Sequence, residues 1–293
     1  MRKGLAIVNG YGLWPGIENF LSRMKEEFGK LGIQLDKAKT TDVLSFIQAN
    51  GDIHSSSDEY DFILFLDKDL YLSEMLQKQG YKLFNSAECI RLCDDKMLTY
   101  ITLAKHGIPM PKTISVPLNY FGGNNEEFLH NVEKELQYPF IGKTCFGSMG
   151  NGVYLLRNHE EAIRFLNENS QVPTLLQEQI QSSYGIDYRL IVIGGKCVAA
   201  MERHNDSDFR SNIAQGGYGK AVTPKGSFIQ LAEKAASIMG CDYCGVDLLV
   251  GADGEPVLCE VNSNAFIAGI EKVTGINVAE AYAKHILSEL NGK

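Results

Sequence analysis

The sequence predicts a mixed α/β (α+β) protein, and three observations predict it. Residues 1–90 alternate short apolar runs with amphipathic helical stretches, the rhythm of a parallel α/β unit. Later, two pairs of apolar runs meet at Gly194-Gly195 and Asp253-Gly254, dipeptides favoured in tight hairpin turns. The chain has 293 residues, 44% hydrophobic and 22% charged, which is room for two or three domains with real cores.

Taken in order, residues 5–9 read as a strand and 16–31 as a helix whose Phe20, Leu21, Met24 and Phe28 recur on one face. Strands follow at 33–39 and 62–66, helical stretches at 41–49 and 70–79, and a strand at 82–85. Gly10 and Gly12 have the offset of a dinucleotide fingerprint, but Pro15 stands where its third glycine belongs, so a nicotinamide site is poorly supported. Residues 87–106 read as one helix, ended by Gly107-Ile-Pro-Met-Pro111. Strand signals come at 113–116, 140–145 and 152–156, and helical ones at 159–167, 227–239 and 278–290. The polar stretch 119–127, with two glycines, is expected to be a mobile surface loop.

Composition excludes several classes. A net charge of −8 argues against non-specific nucleic-acid binding. The first apolar run is short and broken at Asn9, so neither a signal peptide nor a membrane span is expected, which points to the cytoplasm. Seven scattered cysteines do not form a disulfide framework. Cys241-Asp-Tyr-Cys244 has no second C-x-x-C, and Cys89 and Cys93 lie one helical turn apart, so half-buried thiols are expected and zinc is not.

The most informative stretch is 244–262. With a turn at Asp253-Gly254, cross-strand partners sum to 507, which sets Asp247 opposite Glu260, with Asn262 on the same face as Glu260. Opposed carboxylates about 5 Å apart repel, unless a hard, oxygen-seeking cation such as Mg²⁺ lies between them. The other face (Val246, Leu248, Val250, Val257, Cys259, Val261) is apolar.

A second feature is Lys143 within an apolar strand, followed by Gly147, Ser148, Gly150 and Gly152 and then another strand. Glycines let backbone N–H groups approach a polyphosphate closely. Gln137 replaces the glycine a P-loop requires. Further cationic candidates are Lys96, Arg189, Arg203 and Arg210, and pairing across Gly194-Gly195 is expected to set Asp187 opposite Glu202.

In this order, Asp95-Lys96, the Lys143 strand with its glycine loop, Gln177-Glu178-Gln179-Ile180, Gly185-Ile-Asp187-Tyr-Arg189, Asp208-Phe-Arg-Ser-Asn212, Gly245-Val-Asp247 and Glu260-Val-Asn262 resemble the ATP-grasp superfamily, and within it the RimK-type glutamate ligases. The resemblance covers nearly the whole chain. It implies a Rossmann-like N-terminal domain (1–92), a central subdomain with the lid (93–176) and a C-terminal subdomain with the metal site (177–293), the last two clasping ATP. Lys96 and Lys143 would meet phosphates beneath a lid through Ser148, and Gln177 to Ile180 would meet adenine, with Glu178 its acidic contact. Asp187 and Arg189 would help position the nucleotide, and Arg210, Ser211 and Asn212 would reach the γ-phosphate. Arg210, Lys143 and Asn212 would be catalytic. Asp247, Glu260 and Asn262 would hold Mg²⁺ or Mn²⁺, two ions in all.

The implied reaction joins a carboxylate to an amine through an acyl phosphate, with glutamate or a related amino acid added to a protein, peptide or small acceptor by a homo-oligomer. A glutathione-synthetase-like or dipeptide ligase and a non-catalytic ATP-binding module remain open as alternatives.

Overall fold

The structure, a computed structural model, describes residues 2–12, 16–56 and 60–292. Trp14 and Pro15, which weigh on the dinucleotide fingerprint, lie outside the described residues. The N-terminal region runs β1 (Arg2–Val8), α1 (Ile17–Lys30), β2 (Ile33–Lys39), β3 (Ser45–Ile47), β4 (Ile53–Ser55), β5 (Phe62–Leu66), α2 (Leu70–Lys78) and β6 (Leu83–Phe84), and β1, β2, β5 and β6 form the first sheet. Its strands run parallel in the order β2-β1-β5-β6, as the sequence rhythm predicts. The apolar face of α1 is buried at Phe20, Leu21, Met24 and Phe28.

Residues 41–49 are not helical. They lead into an antiparallel ribbon in which β3 pairs with β4 and leaves Phe46 and Ile47 exposed. The overlooked signal is Asn50-Gly51: Gly51 takes a left-handed φ of 90°, and the Asn50 side chain accepts the Asp52 N–H at 3.1 Å.

Next come α3 (Ala87–Asp94), α4 (Lys96–Leu103), β7 (Thr113–Ser115), α5 (Glu126–Glu133), β8 (Phe140–Thr144), β9 (Val153–Leu156), α6 (His159–Glu168) and β10 (Thr174–Glu178). The helix expected over 87–106 is two. Asp95 turns extended, and its carboxylate accepts the Met97 and Leu98 N–H groups at 2.9 and 3.1 Å. An N-cap aspartate competes with continuation of the helix, and Lys96 becomes the first residue of the new one. The polar loop expected through 127 gives way at Glu126 to α5, and the Asn119 amide bonds the Gly123 backbone in both directions. The second sheet is antiparallel, in the order β7-β10-β8-β9.

The third sheet contains β11 (Ile186–Ile193), β12 (Lys196–His204), β13 (Tyr218–Ala221), β14 (Tyr243–Val250) and β15 (Pro256–Asn262), in the order β13-β12-β11-β14-β15. Helices α7 (Gly226–Ile238), α8 (Ala268–Thr274) and α9 (Val278–Leu290) complete the chain. One apolar cluster joins Phe20 and Phe28 of α1 to Tyr243, Tyr282 and Ile286, so the first and third sheets share a core.

Two bulges set the registers that matter. The 252–254 connection closes with Gly251 N–H to Glu255 O at 2.8 Å and Gly254 at φ 76°, so partners near the turn sum to 506 (Val250 with Pro256). Cys259 is then an extra residue in β15, and beyond it Asp247 faces Glu260 as predicted. The pairing is right through two offsetting departures from a simple hairpin. The predicted apolar face is correct at Val246, Leu248 and Val261, but Leu258 fills the position assigned to Val257 and Cys259. In the other hairpin the extra residue is Val198, and it overturns the Asp187–Glu202 pairing: Asp187 faces Arg203.

Candidate active site

The second and third sheets close on a cleft of about 900 Å³, capped by the glycine loop between β8 and β9. Lys96, Lys143, Ser148, Gln177 to Ile180, Asp187, Arg210, Ser211, Asn212, Asp247 and Glu260 line it. Arg189 and Asn262 line an adjoining cavity of about 1450 Å³, which shares Ser148, Met149, Arg203, Asn212 and Glu260 with the first.

Lys143 enters from β8. Its ammonium donates to Gln177 Oε1 at 2.7 Å, and Gln177 Nε2 donates to Thr113 Oγ1 at 2.7 Å. The amide of Gln177 is therefore committed to holding the lysine. Burial opposes the charge on Lys143, but the Tyr100, Cys259 and Glu260 side chains outweigh it and hold the lysine above its ordinary range. Lys96 donates to Gly147 O at 3.0 Å and stands 3.7 Å from Glu260 Oε1, linking lid and acidic pair. Glu178 is exposed: its backbone N–H donates to Lys112 O at 2.9 Å and its carboxylate accepts the Lys112 N–H at 3.2 Å.

The lid is tied down from both sides. Arg210 Nη1 donates to Gly150 O at 3.0 Å while its other nitrogens grip Asp208 at 2.8 and 3.0 Å. Gln215 Nε2 donates to Met149 O at 3.0 Å, and Lys68 Nζ donates to Ser148 Oγ at 3.1 Å. Gly152 sits at φ 73°, where an added Cβ would lie 2.2 Å from Thr144 Oγ1. Both φ and the clash resist a side chain. Gly152→Ala is therefore expected to weaken nucleotide binding roughly tenfold or more through about 1–3 kcal/mol of strain at the lid hinge. Titration with ATP at fixed Mg²⁺ checks this, and unchanged affinity would show that the hinge relaxes freely.

On the floor, Asp247 is buried at 2% exposure. Arg189 grips it through Nε at 2.7 Å and Nη2 at 2.6 Å, and Arg203 adds a bond at 2.9 Å while also pairing with Asp187. Burial pushes the Asp247 carboxyl up, but Arg189 and then Arg203 overcome it and hold it below the usual carboxylate range. Asp187 and Asp247 with Arg189 and Arg203 thus form a largely buried network of two carboxylates and two guanidinium groups. Glu260, its side chain 24% exposed, is the more available carboxylate. Among the described residues, Asn262 Nδ2, a donor and not a metal ligand, is buried without a partner; the atom that would meet a cation is Oδ1. Two carboxylates and an amide oxygen are hard donors, and this set fits a Mg²⁺-like ion.

Sequence reasoning missed Lys68, Tyr184, Phe209, Leu249 and Cys259 as lining residues. Leu249 was recoverable by alternation from Asp247. Cys259 was hidden by the bulge, and Lys68 carried only the generic signal of a residue beyond the C-terminal end of a parallel strand.

Three antiparallel and parallel sheets arranged around such a cleft define the ATP-grasp fold. A solved ATP-grasp ligase, PsnB, described as complexed with minimal precursor, Mg and ADP, superposes with a TM-score of 0.69 at 15% identity, over 98% of this chain and 97% of that one. The chain belongs to the RimK-like ATP-grasp family, whose domain matches residues 93–286. It is 33% identical over 272 residues to human (Homo sapiens) N-acetylaspartylglutamate synthase A, covering 89% of this chain and 64% of the relative. It is 34% identical over 214 residues to a probable alpha-L-glutamate ligase of Legionella pneumophila, covering 72% and 68%. The chain spans between 55% and 64% of the length of the first curated relatives it matches. Among the described residues, no helix is long and apolar enough to cross a membrane.

Proposed function

We propose that this chain is an ATP-dependent carboxylate–amine ligase that adds glutamate or a related amino acid to its acceptor. The carrying observation is the convergence of Lys96, Lys143 and Arg210 with the Asp247–Glu260 pair around one cleft beneath the glycine loop. ATP occupies that cleft, its base toward Gln179 and Ile180 and its phosphates beneath the lid. The adjoining cavity, reached past Glu260 and Asn212, takes the carboxylate and the amine. Glutamate is favoured because glutamate occurs in the names of both relatives above.

A substrate carboxylate oxygen attacks the γ-phosphorus, the bond to the β–γ bridging oxygen breaks, and ADP leaves. The amine nitrogen then attacks the acyl carbon, the C–O bond to phosphate breaks, and the amine proton leaves with phosphate or to water. Lys96, Lys143 and Arg210 offset the charge spreading over the transferring group. Asp247, Glu260 and Asn262 would hold two divalent ions, which supply charge neutralisation at the phosphates. Asp187 and Arg203 orient Asp247. The reaction belongs in the ATP-supplied cytoplasm, in keeping with seven free thiols, and in a homo-oligomer.

The test is incubation with Mg-ATP, glutamate and a panel of carboxylate acceptors, following nucleotide and amide by mass spectrometry. Glutamate-dependent ADP with a matching amide is expected, and AMP would overturn the acyl-phosphate route. Arg210→Ala should lower kcat by roughly 10²–10³ while changing ATP affinity much less, because Arg210 serves the transition state. Equal losses in both would reduce it to a lid anchor. A ligase joining two small amino acids is the rival, and the same acceptor panel separates the two.

A further inference from the structure

In an apolar core of Leu, Ile, Val, Ala, Phe and Met side chains, four cysteines come together from two distant parts of the chain. Cys89 and Cys93 lie one turn apart on α3. Cys241 and Cys244 flank the entrance to β14. All are buried, at 1%, 6%, 8% and 0% exposure. Cys89 Sγ lies 3.2 Å from Cys241 Sγ and 4.0 Å from Cys93 Sγ, and Cys93 Sγ lies 3.9 Å from Cys241 Sγ. Cys244 follows Cys241 by three residues and lies in the same apolar cluster.

We propose that these cysteines form a structural Zn²⁺ site. A tetrahedral zinc with Zn–S bonds of about 2.3 Å sets its sulfurs about 3.8 Å apart, and the three measured separations bracket that value. Thiols packed merely as small hydrophobes have no reason to converge three at a time on one point, and a disulfide would join only two of them. The pairing C-x3-C with C-x2-C falls within the ligand spacings of structural zinc sites. The sequence expectation against zinc rested on the lack of a second C-x-x-C, but a helix offers an equivalent pair at i and i+4. Cys89, Cys93 and Cys241, whose sulfurs all lie within 4.8 Å of one another, supply three ligands; Cys244, outside that set, would turn its side chain to them as the fourth, and each thiol releases its proton to water on coordination.

The position gives the site a purpose. Asp95 and Lys96 follow Cys93 directly, and Asp247 follows Cys244 by three residues. The same junction is already stitched by Asn85, whose Nδ2 donates to Tyr243 O and Ser263 O and whose Oδ1 accepts the Asp242 and Tyr243 N–H groups. A metal here would pin the arm that carries Lys96 to the strand that carries Asp247.

The test uses the full chain, purified with a reductant from zinc-supplied cells. After dialysis, elemental analysis is expected to give one zinc per chain. Stripped protein titrated with Co²⁺ alone should show the thiolate-to-cobalt charge-transfer band and the strong visible bands of a tetrahedral sulfur site, which an oxygen-donor site does not give. Melting temperature should fall when the metal is stripped. Cys89→Ser and Cys241→Ser should lose the cobalt bands, whereas Cys197→Ser, on the far strand β12, should keep them. If either variant fails to fold, the wild-type cobalt spectrum still decides. Absence of retained zinc together with absence of the thiolate band would overturn the site, as would a Cys89–Cys241 disulfide in metal-free protein that melts no lower than the untreated sample.

Discussion

Asp247→Asn is expected to abolish amide formation and, separately, to destabilise the fold. The substitution keeps size and shape but removes a charge that two buried guanidinium groups share. Arg189 and Arg203 would then face an amide that meets their N–H groups with only one oxygen, and Arg203 would be left with Asp187 alone. Removing one member of a buried charge network costs about 3–5 kcal/mol because its partners stay buried and uncompensated. Turnover should fall by at least roughly 10³, the scale on which metal-held charge stabilises phosphoryl transfer.

Urea unfolding at neutral pH reads the first effect, and a saturating Mg-ATP assay reads the second. The folded carboxyl titrates below its ordinary value. Its contribution is therefore complete above the unfolded pKa near 4, and is lost as pH falls from there through the lower folded value. Wild type should shed stability across that acid window, and Asp247→Asn should be flatter there. Full stability in the variant would show that the arginines need no anion. Substantial turnover would remove Asp247 from the metal site.

Much of the site was legible because it is encoded locally. Asp247, Glu260 and Asn262 fall on one hairpin, and Lys143 and the glycine loop on another, so local sequence brings each set together, although the Asp247–Glu260 register came out right only because the turn and the Cys259 bulge offset each other. What was not legible depends on single inserted residues and on tertiary partners. Cys259 and Val198 each shift a ladder by one position, and no local signal marks them as bulges. The extra residue at Val198 turned an expected Asp187–Glu202 opposition into an Asp187–Arg203 pair. The break at Asp95 was encoded, since aspartate is a strong N-cap, but periodicity running across it masked the cap. The role of Gln177 escaped for a different reason: its partners, Lys143 and Thr113, come from neighbouring strands, and only the sheet order brings them together.

Lys143→Met should have the opposite balance of effects from Asp247→Asn. Methionine keeps most of the apolar stem in a buried strand and deletes only the ammonium. Burial works against that charge, so its removal relieves a desolvation cost. It also leaves Gln177 Oε1 without a strong donor, since the single Tyr100 hydroxyl proton goes to Cys259 O at 2.6 Å, while Thr113 still anchors the other end of the amide. A lost bond to a charged donor is worth about 1.5–3 kcal/mol, which the relief largely offsets, so the apo-protein melting temperature should change little.

Binding is different, because the ammonium has no substitute at its place in the cleft. Loss of one charge-assisted phosphate contact in a water-excluded site should lower kcat/KM by roughly 10²–10³. The discriminating measurement is thermal unfolding with and without Mg-ATP. Ligand binding raises the melting temperature of wild type by mass action, and Lys143→Met should lose most of that increment while its apo value stays in place. A normal ATP-dependent rise would mean that Lys143 serves the fold and that the phosphates lie elsewhere in the cleft. A collapsed apo value would mean that the lysine, and not the glutamine that holds it, is the structural member of the pair.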